Sequence, residues 1–96
     1  MPEMRFHIRW PDGVKEVCYS PSLVIKDYLT VGETYAPAEF LAKTRTALLI
    51  ASDRVKEKYG MPCSRALAQL ARIEAASAAF LTETPRGGIT IDAFED

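Results

Sequence analysis

The chain has 96 residues, 12 Lys and Arg against 13 Asp and Glu, and a formal net charge of -1. That length fits one domain, 1–96, able to bury a core without disulfides or metal. The balanced charge gives no bulk attraction to nucleic acid or an anionic membrane. No apolar run approaches the roughly 18 residues of a membrane span. The start of the chain alternates instead of forming the apolar core of an export signal. A cytoplasmic location with both cysteines reduced is therefore expected.

The charge is unevenly spread. Residues 1–37 carry four bases and five acids, 38–73 seven and three, 74–96 one and five. A basic middle and an acidic tail that neutralise each other in the fold are the simplest expectation.

Met4, Phe6, Ile8 and Trp10 alternate with Arg5, His7 and Arg9, the period of a strand with one buried face. "WPDGV" then supplies a turn. A two-residue Asp12-Gly13 loop sets Ile8 against Val17, Phe6 against Tyr19 and His7 against Cys18, which keeps the apolar side chains together. A three-residue Pro-Asp-Gly loop sets Ile8 against Glu16 and mixes the faces. A one-residue slip inverts a strand, so the pattern favours the shorter loop.

"YSPSLVIKDYLTVG" reads as a turn and a short helix, capped by Ser20 or Ser22 and ended near Gly32, with a continuing "SLVI" strand as the alternative. "ETY" can add a short extended piece before Pro37. Residues 38–59 give the clearest helix. Phe40, Leu41, Leu48, Ala51, Val55 and Tyr59 recur at helical steps, with Pro37 in the first turn and Gly60 just past the end. A second helix starts near Cys63 or Ser64 and runs to about Leu81. Its stripe is Leu67, Leu70, Ile73, Ser77 and Phe80, and the rest is rich in alanine. "TPRGG" breaks the chain, and "ITIDAF" alternates as a last strand.

The predicted fold is α+β: a small antiparallel sheet of three strands, the N-terminal hairpin plus the C-terminal strand, covered on one face by two main helices and a short one. A hairpin alone is marginally stable, so the last strand is expected to pair with it.

Five features of the sequence are candidates for chemistry or contact. "GMPCSR" places Cys63, Ser64 and Arg65 where a helix begins. Unpaired amides there attract anions, a nearby thiol gains thiolate character, and a guanidinium recognises carboxylate or phosphate. A capping serine beside a small apolar cysteine accounts for the same residues without a ligand. In the favoured register His7, the only histidine, sits beside Cys18, the minimum for an activated thiol. No third group orients it, and the spacing of two Cys and one His matches no zinc pattern, so neither metal nor cofactor is assigned. The helical hairpin around "GMP" has the outline of a helix-turn-helix presenting Ser64, Arg65, Gln69 and Arg72 to a groove, but it lacks a basic face. Asp92, Glu95 and Asp96 read as solvated charge at a fraying end. The alanine-rich helix offers either close packing on its neighbour or a homodimer face.

The segments "MPEMRFHIRWPDG", "CYSPSLVIKDYL", "IASDRVKEKYGMPCSRALAQL" and "ITIDAF" together resemble a family of small bacterial nitrogen-starvation-response proteins encoded beside nitrilase-type genes. The resemblance implies a cytoplasmic protein working alongside a metabolic enzyme set. It brings no assigned reaction and so no catalytic residues.

The expected function is a non-enzymatic accessory or adaptor that binds a partner protein or a small anionic metabolite. Its site would use Cys63, Ser64 and Arg65 with the outer hairpin face of Arg5, His7, Arg9 and Cys18. A thiol-dependent enzyme using Cys63 or Cys18 is the rival from another class. A nucleic-acid-binding regulator using the two helices is a third reading.

Overall fold

A computed structural model describes residues 3–61, 63–81 and 88–95, with 79–81 as backbone. The expectations placed on Pro62, on most of the 84–88 break, on the Phe80 side chain and on Asp96 lie outside the described residues.

Strands β1 (Met4–Arg9) and β2 (Lys15–Ser20) form the N-terminal hairpin. A short helix α1 (Ile25–Tyr28) and a two-residue strand β3 (Thr34–Tyr35) follow. Helices α2 (Pro37–Tyr59) and α3 (Ser64–Leu81) make the second layer, and β4 (Ile89–Glu95) closes the sheet. The sheet is antiparallel, in the order β2-β1-β4-β3. It therefore has four strands, not three. The extra one is the "ETY" piece, held by Thr34 opposite Thr90, whose hydroxyls meet at 2.9 Å.

The hairpin takes the longer loop. Trp10 N–H donates to the Val14 carbonyl at 2.9 Å, and Gly13 N–H to the Trp10 carbonyl at 2.8 Å. Pro11 fits the second position of the turn, and Gly13 has a positive φ of 89°. The register is Phe6 opposite Cys18, His7 opposite Val17 and Ile8 opposite Glu16. The expected pairing was one residue out. Cys18 and Ser20 face the core, while Val17 stands half-exposed on the outer face. Glu16 is tolerated on the inner side because it lies at the edge, where the Trp10 indole N–H and Arg72 each donate to Oε1 at 3.2 Å.

The core lies between the sheet and the helices. Phe6, Ile8, Ile89 and Ile91 meet Phe40, Leu48 and Ile73, all fully buried. Trp10 packs edge-on to Phe40 at 5.9 Å. Helix α2 ends as expected at Gly60, whose amide donates to the Lys56 carbonyl at 2.7 Å. Two residues expected in the apolar stripes are exposed: Tyr59, at 66%, lies in the final turn of α2, and Leu67, at 41%, yields the α3 interface to Ala66. Before α1 the serines build a turn instead of a helix cap: Ser22 Oγ accepts the Val24 amide at 3.2 Å, and Val24 itself is the N-cap without a side-chain bond.

Candidate functional site

The corner between α2 and α3 is built by its backbone. Cys63 N–H donates to Ser52 Oγ at 3.2 Å, and its carbonyl accepts the Leu67 amide at 3.2 Å. Cys63 thus holds the N-cap position and Ser64 is the first helical residue, so the expected serine cap is shifted by one. One residue on, Arg65 turns back over β2. Its guanidinium lies 3.9 Å from the centre of the Tyr19 ring and 3.8 Å from the Glu3 carboxylate. A cleft of about 250 Å³ opens beside this stack, lined by Glu3, Tyr19, Pro21, Val55, Tyr59 and Cys63. Burial pushes the Tyr19 phenol above its ordinary range; Arg65 pulls it back, while Cys63 and a hydrogen bond to Glu3 push it further up.

On the other side of Arg65 a wider cleft of about 470 Å³ runs between β2 and α3, lined by Glu16, Tyr19, Arg65, Ala68, Gln69 and Arg72. Gln69 Oε1 accepts the Tyr19 backbone amide at 3.0 Å, and Arg72 bonds Glu16. The helix face expected to read a DNA groove is therefore turned onto the edge of the sheet. Of the four side chains named for that reading, Gln69 and Arg72 bond β2 and Arg65 stacks on its Tyr19.

The outer sheet face carries Arg5, His7 and Arg9. A bulge in β4 between the partners of His7 and Ile8 puts both Asp92 and Ala93 on the outer side. Asp92 bonds Arg9 at 3.1 Å, and Glu95 Oε2 lies 3.1 Å from His7 Nε2, at ion-pair distance but outside hydrogen-bond alignment. Both tail acids lie within β4, Asp92 at 30% and Glu95 at 60% side-chain exposure. Of the basic middle, Arg45 pairs with Glu74 of the acidic 74–96 segment, as expected, while Arg65 and Arg72 pair with Glu3 and Glu16 of the first segment.

Cys18 belongs to neither surface. It is 1% exposed on the core side, opposite Phe6, and His7 points the other way. Burial, aided by Glu16 and opposed by Arg72, raises its thiol pKa far above the ordinary value. The expected His7–Cys18 pair does not form, and Cys18 leaves the outer hairpin face. Cys63, Ser64 and Arg65 stand together at one corner; Arg5, His7 and Arg9 stand together on the outer sheet. The partners that sequence reasoning missed are Glu3, Tyr19 and Tyr59, since nothing in their local spacing ties them to residue 65. Among the described residues no three His, Cys, Asp or Glu side chains converge as a metal site. Among them, too, no helix is long and apolar enough to cross a membrane.

Fold and site together define a small two-layer α+β protein whose clefts flank an arginine–tyrosine stack. The profile described as nitrogen starvation-induced protein NitG matches residues 5–94, and the chain belongs to that family. Neither the curated proteins nor the solved structures gave a match to it.

Proposed function

We propose that the chain is a non-enzymatic cytoplasmic accessory protein that docks a partner protein through the α2–α3 corner in the response to nitrogen starvation. One observation carries this reading: Tyr59, which shares a cleft with Tyr19 of the Arg65–Tyr19 stack, is 66% exposed, and Met61, two residues further along the chain, is 73% exposed. Tyrosine, methionine and arginine are the residue types that interface cores favour, and large side chains clustered at one corner form an anchor for a contact. The outer sheet residues Arg5, His7 and Arg9 are a second, more polar surface of the same chain. The rival thiol enzyme is left with Cys63, which reaches the smaller cleft, whereas the only histidine sits on the outer sheet beside Glu95.

Tagged chain recovered from nitrogen-starved and nitrogen-replete cells of the native host tests the reading. A stoichiometric partner is expected from starved cells. Tyr59→Ser with Met61→Ser removes it, and Thr46→Ala on exposed α2 surface retains it. Recovery of the chain alone after crosslinking, or of the same partner with the double variant, overturns the proposal.

A further inference from the structure

The smaller cleft has a chemistry of its own. Among the described residues its lining is one carboxylate (Glu3), two phenols (Tyr19 and Tyr59), the Cys63 thiol and the apolar Pro21 and Val55, with no cationic side chain among them. Aromatic faces and a carboxylate attract positive charge. The chain already shows this preference at the rim. The Arg65 guanidinium lies on the Tyr19 ring at 3.9 Å and against Glu3 at 3.8 Å, and Lys58 Nζ lies 5.5 Å from the centre of the Tyr59 ring. Arg65 itself is 64% exposed and lines the neighbouring cleft, so it guards this one without filling it. A volume of about 250 Å³ accommodates a few carbons and a planar headgroup.

We infer that the cleft formed by Glu3, Tyr19 and Tyr59 is a recognition site for a small organic cation, a guanidinium or primary ammonium on a short apolar arm. The headgroup sits against Glu3 and the tyrosine rings, and the arm lies on Val55 and Pro21. Arg65 competes with the ligand for the Glu3 carboxylate. The cleft borders the proposed docking corner, but its selectivity follows from its own lining and needs no partner.

The test is a titration of the isolated chain, followed by amide NMR shifts, with butylguanidinium and butylammonium as probes and butyrate as the anionic control. Saturable shifts at Tyr19, Tyr59 and Cys63 are expected with both cations, with dissociation constants on the order of millimolar, and none with butyrate. Glu3→Gln weakens binding roughly 5-fold or more, and Tyr59→Ala roughly 2- to 10-fold. Both residues are exposed, so these variants keep the fold. Arg65→Ala strengthens binding by roughly 2- to 5-fold, the range set by release of an exposed ion pair. A purely structural role for Glu3 does not predict that opposite sign. N-acetyl-arginine amide separates the two sources of the headgroup: weaker binding than butylguanidinium indicates a free ligand, tighter binding an arginine on a partner. Absence of saturable shifts with either cation, or butyrate binding as well as they do, overturns the inference and leaves the docking proposal untouched.

Discussion

Gln69 Oε1 accepts the backbone amide of Tyr19 at 3.0 Å, joining residues 50 positions apart and closing part of the free edge of β2 with a side chain from α3. An edge strand exposes unpaired amides, and covering them is one way proteins prevent strand-to-strand association. Gln69→Leu leaves this half-buried donor without its acceptor and is expected to cost about 1 kcal/mol in urea denaturation. Gln69→Glu keeps an acceptor oxygen in place and is expected to stay closer to the parent. Equal losses in both variants would show that packing, not the hydrogen bond, matters at this position.

Gly88 is required for space. A Cβ there would collide with the Tyr35 carbonyl oxygen and come within 2.8 Å of its carbon, where β3 meets β4. Gly13 has open space around it but a φ of +89°. The two glycines therefore separate two causes. Gly88→Ala is expected to cost about 2–3 kcal/mol through backbone overpacking. Gly13→Ala should cost about 1 kcal/mol through left-handed strain alone. Thermal melts of the two variants give the order, and a Gly13→Ala loss matching Gly88→Ala would contradict it.

Thr44 on α2 and Ser77 on α3 are fully buried, and among the described residues neither hydroxyl oxygen has a hydrogen-bond partner. A buried hydroxyl that gave up water without a replacement is a standing cost. Thr44→Val keeps the shape and removes that cost, so stability is expected to rise by about 0.5–1.5 kcal/mol. Ser77→Ala should be neutral or mildly stabilising. Destabilisation by Thr44→Val beyond about 0.5 kcal/mol would reveal a partner for the hydroxyl.

The elements were legible where one signal dominated. Strict alternation marked β1 and the end of the chain, while Pro37 and Gly60 bounded α2. The register of the hairpin was not, because Val17 and Tyr19 outweigh Cys18 and Ser20 as apolar residues. The fold nevertheless buries the cysteine and serine and turns the larger pair outward. What decides it is loop chemistry: Pro11 and Gly13 together suit a three-residue turn. The bulge in β4 was hidden for a related reason, since "ITIDAF" alternates well on paper until Phe94 has to join the core. Of the site, Arg65 was visible as a cation at a corner. Its partners Glu3 and Tyr19 come from another layer, and only the tertiary fold brings them within 4 Å.

Cys18 gives the stability a pH dependence of predictable sign. Its thiol pKa is raised in the fold, chiefly by burial, from an ordinary value of 9.0. Below pH 9 both folded and unfolded chains carry the proton and the group contributes no slope. Above it the unfolded thiol ionises while the folded one does not, so the unfolded state binds fewer protons and stability falls as pH rises, by up to about 1.4 kcal/mol per pH unit. Tyr19 adds a loss of the same sign only above its own ordinary value of 10.0. The interval from pH 9 to 10 therefore isolates the cysteine, and the difference between parent and Cys18→Val in urea denaturation reports it. Cys18→Val is expected to flatten the fall over that interval. Alkylation supplies an independent check: one thiol, Cys63, reacts in the folded chain, and Cys18 reacts only in denaturant. Two native thiols of equal reactivity, or an unchanged slope in the variant, would place Cys18 outside the core.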